Sequence, residues 1–346
     1  DPFAGLPERA LHPAAPFRDC DLYHPWALDT EAAIALCKRM EKAGMAVDPR
    51  INNSEGASIS VSTSDFVYAN SNGFIGGYPS SRHSGSCTLI AGSDSGMQRD
   101  YWYSTARAAA DLESVEAIGA EAGRRTAARL DARRVPTGEY PVLFEAPVAS
   151  GLIGAFVNAV SGTSLYRKAS FLLDSAGKAV FASCVDIVED PFIARGLASG
   201  PFDGEGVATQ RRDVVTGGVV QGYFLSSYSA RKLGLATTGN AGGNHNLMVR
   251  PTGEDFAGLL KKMGRGVVVT ELLGQGVNNV TGDYSRGAAG FWVEGGEIAY
   301  PVEEFTVAGN MKDMFKDIVA IGTDVRALGS RQVGSILIGR MAIAGE

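Results

Sequence analysis

Histidine and cysteine are scarce in this sequence, which limits the metal and redox chemistry that the chain can support. The 346 residues include only these eight: Cys20, Cys37, Cys87, Cys184, His12, His24, His83 and His245. The cysteines form no C-x-x-C pair, which favours reduced thiols over a disulfide framework or a zinc knuckle. No two histidines have the spacing of an H-E-x-x-H helix. A three-ligand zinc site within this chain is therefore not expected.

Long apolar runs and basic clusters are also missing. No segment reaches the ~18–20 consecutive apolar residues of a membrane span, and we expect no signal peptide. The net charge of −6 is spread along the chain without a basic stripe, which argues against nucleic acid as a direct partner. The sequence predicts a cytoplasmic protein that contacts neither a membrane nor nucleic acid.

Apolar residues make up 45% of the chain and charged residues 20%, as in a folded globular protein. The length favours about two domains, and the Pro- and Gly-containing stretch 136–141 is typical of a junction. We therefore predict one domain over residues 1–135 and a β-rich domain over residues 136–346. Because the chain begins at Asp1 without methionine, we expect the first domain to be the remainder of a longer N-terminal α+β domain.

Periodicity predicts an α+β fold: a mixed helical and antiparallel first region, then a β-rich region with a few helices. Helical spacing of apolar residues covers residues 29–45, 111–130, 147–160, 254–263 and 311–321. Residues 57–90 alternate as an antiparallel meander, with Asn72 and Gly73 at a turn. Further strands are predicted within 171–188, 218–230, 266–274, 291–302, 305–310 and 335–345, and the 311–321 helix is given Asn310 as its N-cap.

Glu145 is the first candidate site residue, because it ends an apolar run just before Pro147 opens a helix. A carboxylate there is stabilised by the helix dipole, typically by ~0.3–1 kcal/mol. The residues alone therefore leave two alternatives, a turn with a satisfied charge or a general acid or base. A general base needs a second titratable group or a metal nearby, and the neighbouring sequence supplies none.

The stretch 238–246, TGNAGGNHN, is the densest polar cluster. Its glycines allow close backbone approach and its Asn and His side chains supply hydrogen bonds. An elaborate hairpin and a loop that contacts a peptide or partner both remain open. Asp283 and Ser285 suggest a serine–histidine–aspartate site only if His245 lies nearby in the fold. The pairs Arg167–Lys168 and Arg211–Arg212 are interpreted as solvated charge.

Four blocks of this sequence closely resemble the PmbA (TldE) branch of the TldD/PmbA peptidase family. They cover residues 97–107, 161–181, 221–247 and 281–310, and the likeness extends over nearly the whole chain. In the TldD branch, the segment corresponding to 142–156 is similar to V-L-L-H-E-A-x-G-H-G-L-E-G-D-F, where two histidines bind zinc and the glutamate activates water. Here Glu145, Ala146 and Ser150 stand at those three positions.

The resemblance implies that this chain has lost its metal site. The TldD branch takes a third ligand, a cysteine, from a glycine-rich loop near its C-terminus, whereas the stretch 324–335 is shorter and holds no cysteine. The resemblance thus predicts no catalytic residue and no cofactor in this chain, with zinc in a TldD-like partner. It also implies a role in a peptidase complex for peptide antibiotic maturation and antitoxin turnover.

Within that complex, the resemblance implies that this chain supplies substrate binding and assembly. We place Asn240, Gly242, His245 and Asn246 at the contact surface for a peptide or partner. Two alternatives remain: a stand-alone peptidase with unrecognised metal ligands, and a non-enzymatic modulator, after the family's older description as modulators of DNA gyrase. A homodimer is a further alternative to pairing with TldD.

Overall fold

The computed structural model describes residues 1–93 and 96–345. Its contacts divide the chain into two compact units. The larger unit consists of Asp1–Cys20, Tyr68–Gly76 and Arg134–Glu346, and the smaller of Asp21–Val67 and Gly77–Arg133. The predicted division at residues 135 and 136 stays a prediction. Among the described residues, no helix is both long and apolar enough to cross a lipid bilayer.

The smaller unit packs two helices on a three-stranded sheet. Its elements in chain order are α1 (Thr30–Met45), β1 (Ile51–Ala69), β2 (Ile75–Ser93), β3 (Gly96–Ala106) and α2 (Val115–Ala128). The strands lie in the order β1-β2-β3, and the ends of β1 and β2 at residues 68–76 count with the larger unit. Asp29 caps α1 by accepting a hydrogen bond from Ala32 N–H at 2.7 Å. The apolar faces of α1 and α2 enclose a core that includes Met40, Leu89, Trp102 and Ile118.

The larger unit is built on two sheets. Its strands are β4 (Gly138–Phe144), β5 (Ile187–Asp190), β6 (Arg212–Thr216), β7 (Val219–Val220), β8 (Asn246–Val249), β9 (Gly266–Leu273), β10 (Asp283–Glu294), β11 (Glu297–Asn310), β12 (Ile318–Ile321), β13 (Arg331–Gln332) and β14 (Ile336–Ala344). One sheet has the order β11-β10-β9-β4-β14-β12, and β11 also pairs with β14. Five of its strands therefore close into a ring. The other sheet has the order β13-β8-β5-β6-β7.

Five α-helices belong to the larger unit within the described residues. They are α3 (Ala146–Ala159), α4 (Gly162–Tyr166), α5 (Ser227–Leu233), α6 (Phe256–Met263) and α7 (Met311–Lys316). Helix α3 follows directly on β4 and contacts β9 and β13. Its buried stripe, which includes Leu152, Ile153 and Phe156, joins a core fed by both sheets. This burial fixes the orientation of α3 and leaves its opposite face outward.

The predicted α+β fold is confirmed. The structure differs from the prediction only in single helices and strands. The predicted 311–321 helix is wrong in its second half: Asn310 does cap it, accepting from Lys312 N–H at 3.1 Å, but residues 318–321 form β12. The strand predicted within 171–188 is limited to its last residues, where β5 begins. The strand predicted at 218–230 is limited to β7, and its last residues begin α5, where Ser226 and Ser229 form a reciprocal capping box.

Candidate functional site

The entrance to α3 is the point where the sequence suggested lost metal chemistry. Phe144 is fully buried at the end of β4, and Glu145 is the N-cap residue of α3. The Glu145 side chain does not cap the helix. Instead, the Ala146 N–H donates to Ser335 Oγ at 3.0 Å. The first backbone donor of α3 is therefore satisfied by the C-terminal loop, and the Glu145 carboxylate does not serve it.

Asp324 and Ser335 fix this loop against α3. The Ser335 hydroxyl donates to Asp324 Oδ2 at 2.7 Å, and the Ser335 N–H donates to Asp324 Oδ1 at 2.9 Å. Ser335 is fully buried. A Cβ at Gly334 would lie 2.6 Å from the carbonyl carbon of Gly322, so the two ends of the loop approach too closely for a side chain. The stretch 324–335, which the resemblance compared with the ligand loop of TldD, thus lies beside α3.

The outward face of α3 includes bare backbone at Gly151. Gly151 is exposed, and a Cβ there would meet no atom within 4 Å. The Ser150 hydroxyl donates to the Pro147 carbonyl at 2.8 Å, so it is engaged within its own helix. Beside this face, Arg331 of β13 places its guanidinium on Gly154, where a Cβ would lie 3.0 Å from Cζ and overlap Nη1. The positive charge of Arg331 therefore lies about one helical turn from Ser150.

These groups do not fit a three-ligand zinc site. At the three compared positions stand a half-buried carboxylate (Glu145), a buried methyl group (Ala146) and a hydroxyl bonded to backbone (Ser150). In residues 1–93 and 96–345, no three His, Cys, Asp or Glu side chains form a group that could hold a metal ion. Zinc takes thiolate, imidazole and carboxylate donors in tetrahedral sets, and only one such donor is present here. The residues at these three positions therefore do not supply the donors of a catalytic zinc.

The polar loop at 238–246 is held from beneath by a buried ion pair. The Glu189 side chain is only 1% exposed and accepts from Arg212 Nε at 2.7 Å, Asn240 Nδ2 at 2.8 Å and His245 N–H at 2.7 Å. The interpretation of Arg212 as solvated charge is therefore wrong, whereas its neighbour Arg211 is exposed. Glu189 of β5 and Arg212 of β6 lie opposite each other in neighbouring strands, where their charges are complementary. The sequence alone does not show this pairing.

The four residues placed at a contact surface occupy different environments. Asn240 and Asn246 are buried. The Asn246 amide donates to the Asp190 carbonyl and to Ser199 Oγ, at 2.8 and 2.7 Å. His245 is half-buried, with one ring nitrogen 3.2 Å from the Ala198 carbonyl oxygen and the other 2.9 Å from that of Gly239. Gly242 is exposed, with a φ of +108°.

A second buried carboxylate shapes the same loop. Asp203 accepts from the backbone N–H groups of Ala241, Val207 and Glu205 at 2.9 Å each. Burial raises the pKa of Asp203 above its usual range, while these three hydrogen bonds act in the opposite direction. Two buried carboxylates, Glu189 and Asp203, therefore hold the loop 238–246 in place, and Gly242 is exposed on this loop.

Sequence reasoning missed Arg331, although the loop that carries it was considered. The signal that could have found it is an arginine in a Gly- and Ser-containing stretch just before a predicted buried strand. Its position on Gly154 depends on how β13 pairs with β8, where Arg331 lies opposite Leu247. Strands β13 and β8 are far apart in the sequence, so their pairing leaves no pattern in the residues around Arg331.

Comparisons with known proteins agree on one family. Residues 137–345 match the PmbA/TldA metallopeptidase C-terminal domain, and residues 23–130 match the PmbA/TldA metallopeptidase central domain. The chain is 49% identical to "Metalloprotease PmbA" of Escherichia coli O157:H7 over all of its 346 residues and 77% of that relative. It is 46% identical to "Metalloprotease PmbA homolog" of Haemophilus influenzae, over 95% of this chain and 73% of the relative.

Solved structures share the fold. A putative modulator of DNA gyrase from Bacteroides thetaiotaomicron is 27% identical, with a TM-score of 0.94 over 100% of this chain and 79% of its own. A putative modulator of a DNA gyrase from Thermotoga maritima is 29% identical, with a TM-score of 0.91 over 99% of this chain and 80% of its own. TldE from Thermococcus kodakarensis is 20% identical, with a TM-score of 0.85 over 99% and 80%. At that identity the likeness is one of fold alone.

Proposed function

The chain belongs to the PmbA/TldD family of metallopeptidases, and from this premise we propose that it is the subunit of a TldD/TldE-type peptidase that does not bind metal. In this proposal the chain binds substrate and assembles the complex, and zinc-assisted hydrolysis takes place in a TldD-like partner. The substrates we propose are peptides, including antibiotic precursors and antitoxins. Cytoplasmic location stays a prediction.

One observation carries the proposal: the helix that would hold the metal is present, but its donor atoms are replaced. Ser150 hydrogen-bonds within the helix, Ala146 has no donor atom, and Ser335 occupies the helix entrance. The Arg331 guanidinium on Gly154 adds an unfavourable charge, because positions 150 and 154 are roughly 5–6 Å apart on one helix face. Placing a divalent cation beside an arginine opposes binding by Coulomb repulsion.

We propose that the loop 238–246 meets the peptide or the partner through its backbone. Gly242 offers exposed N–H and C=O groups, which suit pairing with an extended chain. Asn240, His245 and Asn246 support this role from within by holding the loop in one shape. The side chains of these three residues need not contact the peptide or the partner.

The test uses the full chain, a TldD-like subunit and their mixture. We would measure bound metal by mass spectrometry and cleavage of a fluorescein-labelled unstructured peptide. We expect neither stoichiometric zinc nor cleavage for this chain alone, and cleavage by the mixture. Stoichiometric zinc with cleavage by the isolated chain would establish a stand-alone peptidase. Cleavage by the TldD-like subunit that this chain leaves unchanged would favour a modulator without a proteolytic role.

The Glu145→Gln variant tests whether the Glu145 carboxylate takes part in catalysis. We expect cleavage by the mixture to stay within about twofold of the parent, because the proposal gives Glu145 no proton to transfer. A general acid or base at this position would contribute about 10²–10⁴-fold, so a loss of that size would contradict the proposal. The thermal unfolding midpoint of the variant, measured in parallel, shows whether a loss reflects folding.

A further inference from the structure

Arg331 is unusual among the arginines of the larger unit because its charge is partly buried without compensation. Its side chain is half-buried, and burial alone lowers the pKa of the guanidinium. In the described part of the chain, the Arg331 guanidinium forms no hydrogen bond and no ion pair. Arg212, by contrast, pairs with Glu189 at 2.7 Å. Removing a cation from water without a partner is unfavourable, so the free protein gains nothing from this placement.

The guanidinium is nevertheless held in a defined place. Its backbone lies in β13, which pairs with β8, and the Ser330 carbonyl accepts from Leu247 N–H at 2.7 Å. Its head rests on Gly154, where only glycine leaves room for it. A flexible surface arginine would have neither constraint. The fork of N–H donors is thus partly preorganised, which reduces the entropy lost when a ligand binds.

The surface next to the guanidinium can admit an extended chain. Gly151 lies one residue from Ser150 on the same outward face of α3, and no atom lies within 4 Å of its Cβ position. The Ser150 hydroxyl is turned toward Pro147 and does not project across this face. Bare helix backbone beside an edge strand allows a peptide to approach closely. The surface formed by Gly151, Gly154 and Arg331 is called the glycine face below.

We propose that Arg331 binds a carboxylate group of a peptide that lies across the glycine face. A guanidinium and a carboxylate match in a bidentate pair, which is stronger than a neutral hydrogen bond. The inference rests on the proposed function, since it assigns part of the peptide-binding surface to this chain. The carboxylate belongs either to the C-terminus of the peptide or to an Asp or Glu side chain, and the two sources share this chemistry.

The experiment measures binding of labelled hexapeptides to the full chain by fluorescence anisotropy. The probes are a hexa-alanine with a free C-terminus, the same peptide amidated, an amidated peptide with one central Glu, and an amidated peptide with one central Gln. We expect at least one acidic probe to bind about tenfold more tightly than its neutral match, or ~1.4 kcal/mol. A C-terminal source selects the first pair of probes, and a side-chain source selects the second.

Arg331→Gln should remove this preference for the acidic probe, and Arg331→Lys should keep part of it, because the charge remains but the fork is lost. Arg326→Gln is the matched control, since Arg326 is an exposed arginine of the same loop. Both glutamine variants should unfold at the parent's temperature. Equal affinity for acidic and neutral probes, absence of binding, or an unchanged preference in Arg331→Gln would each overturn the inference.

Cleavage by the mixture with a TldD-like subunit keeps the two proposals separate. If the mixture cleaves peptides but Arg331→Gln has no effect on binding, the inference fails and the proposed function stands. If the acidic preference is present but the mixture does not cleave, the carboxylate site stands and the proposed function fails.

Discussion

Ser335 connects the Ala146 N–H and the Asp324 carboxylate through its hydroxyl and its backbone amide. It is fully buried, accepts from the Ala146 N–H and donates to Asp324. In Ser335→Ala the helix donor and the carboxylate each lose a partner inside the protein. We expect a loss of about 1–3 kcal/mol in the free energy of unfolding, the cost of leaving a buried polar group unsatisfied. Urea titration followed by circular dichroism measures it.

Ser330→Ala is the control for that loss, because Ser330 lies in the same loop and its side chain makes no hydrogen bond that the described structure contains. It should change stability by less than about 0.5 kcal/mol. Equal losses in the two variants would mean that the Ser335 hydroxyl does not anchor the loop to α3.

Arg211 and Arg212 are neighbours in sequence but differ in burial. The Arg212 side chain is 14% exposed and pairs with the buried Glu189, whereas the Arg211 side chain is 62% exposed and lies 3.5 Å from Asp190. Arg212→Gln leaves Glu189 buried without its cation, which costs about 3–5 kcal/mol. Arg211→Gln should cost about 0–1 kcal/mol, as for surface pairs. A thermal unfolding midpoint that falls equally in both variants would contradict the buried-pair assignment.

Helices α1 and α2 cross so closely that glycine is required at their contact. A Cβ at Gly119 would overlap the Met40 carbonyl oxygen and lie 2.9 Å from its carbon. Helix propensity alone predicts that Gly119→Ala stabilises the protein by about 1 kcal/mol. Because backbone atoms cannot move aside as a side chain can, we expect the opposite sign. Gly151→Ala on the open face of α3 is the matched control and should stabilise, so opposite signs in urea unfolding test the close crossing.

At the scale of elements, sequence predicts structure where the signal is local. Asn310 was predicted as the N-cap of a helix, and it accepts the expected hydrogen bond from Lys312 N–H. Strand β12 was misread as the end of a helix because its pairing partner, β14, is what makes it extended. Arg331 and Glu189 depend in the same way on pairing between distant segments. The sequence therefore predicted the helix that carries the candidate site, but not the charges around it.

At the scale of the whole molecule, each unit has its own core and one buried cysteine. The reactivity of that thiol can be used to follow the unfolding of its unit. Cys87 is fully buried in the smaller unit, where burial raises its pKa to about 11. Cys20 is 3% exposed in the larger unit, where its carbonyl accepts from Arg195 N–H at 2.9 Å, and burial raises the pKa of its thiol. Since the thiolate is the reactive form, neither should react with iodoacetamide at pH 8 until its unit opens. Cys184 is exposed and should react without denaturant.

The order of labelling then tests whether the two units unfold separately. The smaller unit buries fewer apolar side chains, so we expect Cys87 to become labelled at a lower urea concentration than Cys20. Peptide mass spectrometry assigns each modified cysteine. Gly119→Ala should lower the urea concentration for Cys87 and leave that for Cys20 unchanged, because the substitution disturbs one core. If both cysteines are labelled together in the parent and shift together in the variant, the chain unfolds as one cooperative body.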